Sequence, residues 1–124
     1  PAVGNSSVFR FDAGKSNEVY ETFLREMTQA EDRKMFNTEQ AFLTHAMKKV
    51  NWWPEEWVQS YKWNCRPIFP LNLFLTPKVA PDCRILVFHG RPDPDEAIKG
   101  YSDGKPHHYT RPAPWLAHYW SDKE

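Results

Sequence analysis

The sequence of 124 residues lacks an excess of charge of either sign. Its 16 Lys and Arg residues balance 16 Asp and Glu residues, so the formal net charge at pH 7 is zero. Proteins that bind nucleic acids usually concentrate positive charge to match the phosphate backbone. The charge balance therefore argues against nucleic acid as the partner of this chain.

Long apolar runs are missing as well. No stretch approaches the roughly 20 consecutive apolar residues that a membrane-spanning helix needs, and no signal-peptide pattern opens the sequence. Its two cysteines, Cys65 and Cys83, do not stand in a metal-type spacing. We therefore expect a cytoplasmic protein with reduced thiols and no membrane span.

Aromatic and apolar residues, in contrast, are plentiful. Hydrophobic residues make up 40% of the sequence and aromatic residues 15%, which is enough for a globular core. The length predicts one domain over residues 1–124. The chain starts at Pro1 with no initiator methionine and no leading element. This start is typical of a processed end or of a piece of a longer protein.

The hydrophobic pattern predicts an α/β fold with a small mixed sheet. Residues 7–11 alternate as a strand does, and the continuous apolar run 85–88 is typical of a strand buried on both faces. Apolar residues recur at helical spacing from Val19 to Met27, and a second helix of about a dozen residues begins near Asn37. We expect both helices to pack on one face of the sheet.

A tryptophan-rich segment follows the second helix, and its residues 59–65 alternate as another strand would. Five aromatic side chains crowd into twelve residues: Trp52, Trp53, Trp57, Tyr61 and Trp63. Most tryptophans pack in cores or at core rims, but aromatic rings also hold the apolar faces of sugars. Packing is the better interpretation for any one of them, and Trp63 is our candidate for recognition.

The strand predicted at residues 85–88 ends in an unusual group of residues, His89, Gly90 and Arg91. In open α/β sheets, ligands lie outside the carboxyl ends of strands. Gly90 allows a phosphate to approach the backbone closely, and Arg91 can bind two phosphate oxygens at once. His89 can ligate a divalent cation or donate to the same anion. These residues form a candidate anion site.

Two other segments have both a structural and a functional interpretation. In "NTEQAF", Asn37 and Gln40 have the spacing of a capping box, but Glu39 and Gln40 can also hydrogen-bond the hydroxyls of a ligand; the cap is favoured on the residues alone. In "GNSSVFRF", Asn5 and Ser6 either lead into a strand or offer donors and acceptors to a pocket at its start.

Taken in order, three motifs resemble the carboxyl-terminal half of nucleotide-diphospho-sugar glycosyltransferases of the glycogenin and bacterial lipopolysaccharide galactosyltransferase type. "NSSVFRF" resembles the Asn-Ser/Ala-Gly-Val strand on the acceptor side of these enzymes. "TEQAFL" resembles their Asp-Gln-x-x-Leu helix start, and "VFHGRPDP" resembles their His-x-x-Gly-x-x-Lys-Pro strand end. The match spans residues 4–94 and depends on order and spacing. It implies a partial GT-A-like fold, with the chain as the carboxyl-terminal part of a longer enzyme.

The resemblance implies the transfer of a sugar from a nucleotide-diphosphate donor to an acceptor. It also implies that the donor's diphosphate is neutralised by Mn²⁺ or Mg²⁺ when the full site is present. The candidate site residues are then, for catalysis, Glu39 and Gln40; for substrate binding, Asn5, Ser6, Trp63, Gly90 and Arg91; and for the metal ion, His89.

The sequence departs from the family pattern in three places. Val87 stands where the family has its metal-binding histidine, although His89 points to the same face of a strand. Asp93 stands where the family has a lysine. The Asp-x-Asp motif of the nucleotide-binding half is missing from a strand end, since Asp93-Pro94-Asp95 lies in a proline-rich turn. This chain alone is therefore expected to be inactive.

The alternative function is a non-catalytic carbohydrate-binding or interaction module that uses the tryptophan cluster. Under either hypothesis, half of a sheet leaves an open edge and an uncovered apolar face. Because such edges pair with other chains, we expect a two-fold homodimer.

Overall fold

The computed structural model describes residues 7–27, 36, 38–47 and 49–120. The chain divides into two compact units, Pro1–Trp52 and Trp53–Glu124. The described part of the first unit contains two helices, and that of the second contains a small parallel sheet with short helical segments. The fold is therefore mixed α/β, as the sequence predicts.

Two helices, α1 (Asn17–Met27) and α2 (Glu39–Ala46), form the first unit. The amphipathic pattern predicts α1 correctly. The second helix is shorter than predicted and begins later, because Thr38 caps it: the Thr38 hydroxyl accepts a hydrogen bond from the Ala41 N–H at 3.2 Å. Asn37, the predicted cap, lies outside the described residues.

The strand predicted at residues 7–11 is wrong. These residues form a turn and irregular backbone. Phe9 and Phe11 are exposed, and their rings stack on one another with centroids 5.8 Å apart. Alternating apolar residues become a strand when a neighbour accepts their hydrogen bonds and covers one face. The described part of the chain offers these residues no such neighbour.

The sheet of the second unit pairs β1 (Val58–Ser60) with β2 (Ile85–Val87) in parallel. The register places Val58 opposite Ile85 and Ser60 opposite Val87. The strand predicted from the apolar run is confirmed, but its predicted burial on both faces is wrong, because Ile85 is exposed and Leu86 and Val87 are only half-buried. Because the two strands are parallel, the residues that follow them emerge at the same edge of the sheet.

The strand predicted across residues 59–65 ends at Ser60, because a π-helical segment, Tyr61–Cys65, follows. The Ser60 hydroxyl accepts a hydrogen bond from the Trp63 N–H at 3.3 Å, and the Asn64 side-chain oxygen accepts one from the Ser60 N–H at 2.7 Å. These local bonds compete with strand pairing. The apolar alternation therefore does not mark a strand. It arises because the π-helical segment buries its first and last residues, Tyr61 and Cys65.

The remaining elements are short. Helix α3 (Pro94–Lys99) begins where the sequence predicts only a proline-rich turn, at Asp93-Pro94-Asp95. Three short 3₁₀ segments also belong to this unit: Leu71–Leu73, Pro106–His108 and Pro114–His118. Among the described residues, no helix has the length and apolarity needed to cross a bilayer.

The core of the second unit is formed by residues of its helical segments and the chain beside them. Its buried members are Tyr61, Cys65, Ala97, Ala113 and Leu116. The Tyr61 ring stacks on Phe88, with centroids 4.9 Å apart, and the Tyr61 hydroxyl lies 3.3 Å from the Thr110 hydroxyl. Burial raises the pKa of Tyr61, and it raises the pKa of the free Cys65 thiol to about 11.

A fully buried asparagine joins two loops of this unit. Asn72 lies in the 3₁₀ segment Leu71–Leu73. Its amide nitrogen donates to the carbonyl oxygens of Pro106 and Tyr109, both at 2.8 Å. The Trp115 indole donates to the Pro77 carbonyl at 2.9 Å and adds a second link. The loop that connects the two strands is thereby fixed to the carboxyl-terminal part of the chain.

Replacing this asparagine tests how much the link stabilises the fold. Asn72→Ala leaves two carbonyl oxygens without their donor and opens a cavity, so we expect the free energy of unfolding to fall by about 2–4 kcal/mol. Urea denaturation measures the change. Asn51→Ala, at an exposed position, is the matched control and should change it by less than about 0.5 kcal/mol. Equal effects of the two substitutions would contradict the role of Asn72.

Candidate functional site

The parallel strands bring Trp63 and His89 together. The Trp63 indole N–H donates to Nε2 of His89 at 3.1 Å, and the Ser60 hydroxyl lies 3.5 Å from the same nitrogen. Trp63 follows β1 and His89 follows β2, so their contact depends on the strand register. Because Nε2 accepts the indole hydrogen bond, a neutral His89 carries its proton on Nδ1.

Trp63 is both exposed and held in place. Its side chain is 70% exposed, although the neighbouring residues Tyr61 and Cys65 are buried. The ring is fixed at one end by His89, and the Lys62 ammonium lies 5.4 Å from the ring centroid, within the range of a cation–π contact. The site therefore offers solvent a large, oriented aromatic surface.

The residues around His89 do not fit a divalent cation. Nε2 of His89 already accepts a hydrogen bond, and its Nδ1 is buried without a partner among the described residues. Mn²⁺ and Mg²⁺ need several oxygen or nitrogen ligands around one point. Within the described ranges, no group of three or more His, Cys, Asp or Glu side chains is placed to hold a metal ion.

Gly90 and Arg91 follow His89 at the same edge of the sheet. Gly90 has a φ of +68°, a left-handed conformation that favours glycine, and no other atom crowds the position where a Cβ would stand. The Arg91 guanidinium donates to Asp93 at 2.8 Å and also to Glu96. The backbone at Gly90 is thus open to a ligand, whereas Arg91 already has two carboxylate partners.

These ion pairs set the charge at the start of α3. The hydrogen bond from Arg91 lowers the pKa of Glu96, and the Asp93 N–H, which donates to Glu96 at 2.9 Å, lowers it further. The same contact with Glu96 raises the pKa of Arg91. A carboxylate held ionised in this way is a poor general acid near neutral pH, and two carboxylates outweigh the single guanidinium. The group as a whole does not favour an anion.

The two predicted catalytic residues lie in the first unit. Glu39 is exposed and Gln40 half-buried in the first turn of α2, where the Gln40 carbonyl accepts a hydrogen bond from the Thr44 hydroxyl at 2.8 Å. Asn5 and Ser6 lie outside the described residues. Of the candidate residues, the structure therefore brings together Trp63 and His89, with Gly90 and Arg91 following directly along the chain.

Ser60 and Asn64 are site residues that the sequence analysis missed. Both stabilise the turn that carries Trp63, and Ser60 also approaches His89. The sequence carried a signal for Ser60, because serine is a preferred residue at the start of a helical segment. There its hydroxyl accepts a hydrogen bond from the backbone N–H three residues later. The apolar alternation from Gln59 onward favoured a strand and hid this signal.

No protein-family model, no curated protein and no solved structure matches this chain significantly. The resemblance to glycosyltransferases therefore depends on its three short motifs.

The ion pair of Glu96 should make stability depend on pH. Because the folded state lowers the Glu96 pKa from its ordinary 4.5, the pair stabilises the fold above pH 4.5, and this contribution is lost as the pH falls through the lowered pKa. Glu96→Gln should therefore be less stable than the natural chain at pH 7, and the difference should vanish in acid. Urea denaturation at a series of pH values measures it.

Asp95→Asn is the matched control, since Asp95 lies in the same helical turn and contributes no ion pair to the described contacts. We expect this substitution to change the pH dependence less than Glu96→Gln. A Glu96→Gln variant with the same pH profile as the natural chain would show that the pair contributes nothing in solution.

Proposed function

We propose that the second unit is a carbohydrate-recognition module with Trp63 as its binding platform. One observation carries the proposal: Trp63 is 70% exposed and yet is held by hydrogen bonds from its indole to His89 and from its backbone to Ser60. An exposed tryptophan that only covers part of the surface does not need hydrogen bonds that fix its orientation. A ring held in one orientation is suited to stack against the apolar face of a sugar.

Holding the Trp63 ring in place lowers the entropy cost of binding a sugar. A sugar that stacks on a mobile side chain must also immobilise that side chain, which costs about 0.5–1.5 kcal/mol. The contact with His89 orders the ring before the ligand arrives. Lys62 and Asn64 flank Trp63 and carry hydrogen-bonding groups suited to sugar hydroxyls. A single platform makes few contacts, so affinity should be weak, on the order of millimolar.

Sugar transfer from a nucleotide-diphosphate donor is the second candidate function. Its support is the resemblance of the three motifs, together with the position of Gly90 and Arg91 directly after a parallel strand. The ion pairs of Arg91 weigh against it, because a diphosphate would have to compete with Asp93 and Glu96. The partial GT-A-like fold, the nucleotide-sugar donor and the metal ion belong to this second candidate, although the described residues around His89 do not fit that ion.

Two further predictions stay proposals. Both strands of the described two-stranded sheet have a free edge, which supports homodimerisation through the sheet, and sedimentation over a range of concentrations tests this. The second proposal is a location in the cytoplasm, and its support is that Cys65 and Cys83 are both free thiols.

The recognition module can be tested with the chain as it stands. Screening the 124-residue protein on a glycan array identifies a ligand, and an NMR titration with that glycan measures its affinity. Trp63→Ala should weaken binding about five- to tenfold, because the loss of one stacking aromatic costs about 1–1.4 kcal/mol. His89→Ala should weaken it several-fold, because the ring loses its anchor.

Trp57→Ala is the control, since Trp57 is also exposed and precedes β1 without taking part in the contact with His89. We expect its affinity for the glycan to equal that of the natural chain. If no glycan binds, or if Trp57→Ala and Trp63→Ala weaken binding equally, Trp63 is not a specific platform.

The transferase candidate has its own test with pyrophosphate and uridine diphosphate. Because Glu96 competes for the Arg91 guanidinium, Glu96→Gln should bind both ligands several-fold more tightly than the natural chain, and Arg91→Ala should not bind them. Amide shifts in NMR spectra during the titration report the site. Binding that is unchanged in Arg91→Ala would remove the diphosphate role from this loop.

A further inference from the structure

The loop between the two strands presents apolar side chains to solvent. We call residues 66–80 the apolar loop. Six of its large side chains are exposed, with Ile68 at 77% and Phe74 at 71%: Ile68, Phe69, Leu71, Phe74, Leu75 and Val79. Exposed apolar residues at this density usually mark an interaction surface.

The apolar loop is fixed by its polar contacts rather than loosely attached. Asn72 donates to two carbonyl oxygens of the carboxyl-terminal segment, and the Lys78 N–H donates to the Cys65 carbonyl at 3.2 Å. The Trp115 indole N–H donates a hydrogen bond to the Pro77 carbonyl. These contacts hold the backbone in place while the apolar side chains project outward. A surface ordered in advance loses little entropy when it docks.

Cations outnumber carboxylates in the segments around this loop. Residues 57–81 and 104–120, the two segments that these contacts join, contain no Asp or Glu. They hold five cationic residues: Lys62, Arg66, Lys78, Lys105 and Arg111. The neighbouring carboxylates in the sequence are Glu56, Asp82 and Asp103, and Asp103 contacts His108 of the second segment at 2.6 Å. A partner of this surface should therefore offer an apolar layer to the exposed side chains and an anionic layer to the cations.

We propose that the apolar loop docks onto a bilayer surface rich in anionic phospholipid. Its Phe, Leu and Ile side chains enter the boundary between headgroups and acyl chains, and the cations of the two segments attract the lipid phosphates. Apolar insertion combined with basic residues is the usual basis of binding to a membrane surface without crossing it.

Charge also argues against a second copy of this chain as the occupant. A two-fold contact places the same patch of each copy against the other. The two cations within the apolar loop, Arg66 and Lys78, would then lie in the same interface as those of the partner copy, and like charges that face each other across an interface are unfavourable. A lipid surface has no such conflict.

Vesicle co-sedimentation of the full chain tests the proposal. We expect binding to vesicles of phosphatidylserine and phosphatidylcholine, much weaker binding to phosphatidylcholine alone, and release as salt rises. The double variant Ile68→Ser with Phe74→Ser should bind at least about tenfold more weakly, because two inserted side chains are lost. Phe9→Ser with Phe11→Ser, which changes exposed apolar residues of the first unit, should bind like the natural chain.

Charge reversal tests the electrostatic half. Lys78→Glu with Lys105→Glu should weaken binding at least about tenfold, whereas Lys49→Glu with Lys99→Glu, outside both segments, should have a much smaller effect. Circular dichroism checks that each variant is folded. The proposal is overturned if the chain ignores phosphatidylserine, if the control pairs weaken binding as much as the loop variants, or if Ile68→Ser with Phe74→Ser instead converts a dimer to a monomer.

Discussion

The stacking of Tyr61 on Phe88 is the contact on which the second unit depends. Tyr61 follows β1 and Phe88 follows β2, so their rings keep the two strand ends together beyond the last residues of the sheet. The Tyr61 hydroxyl extends this contact to Thr110. A sheet with three residues in each strand has too few backbone hydrogen bonds to be stable by itself. The aromatic core therefore fixes the register that brings Trp63 to His89.

Local signals explain which elements could be predicted from the sequence. Helix α1 and strand β2 each follow from a pattern inside one short segment, an amphipathic repeat and a continuous apolar run. Helix α3 carried an equally local signal that was overlooked, because Asp93 is followed by Pro94 and, three residues on, by Glu96, the pattern of a helix start. The interpretation of this stretch as a simple proline-rich turn gave too little weight to capping.

Other features depend on contacts that no local pattern contains. Residues 7–11 have the composition of a strand, but a strand also needs a neighbour. The candidate site shows the same division. The position of His89 at a strand end was predictable from the apolar run before it, whereas its hydrogen bond with Trp63 joins residues 26 positions apart. The partners of Arg91 lie two and five residues along the chain and could have been anticipated from charge spacing.

The burial of Cys65 gives the site its own reporter. Burial raises the pKa of this thiol to about 11, and Cys65 lies in the same π-helical segment as Trp63 and in the core of the unit. Since the thiolate is the form that reacts, an alkylating reagent modifies Cys65 only when the segment opens. The labelling rate of Cys65 therefore measures how often the Trp63 turn unfolds locally, and it does so without any added probe in the binding surface.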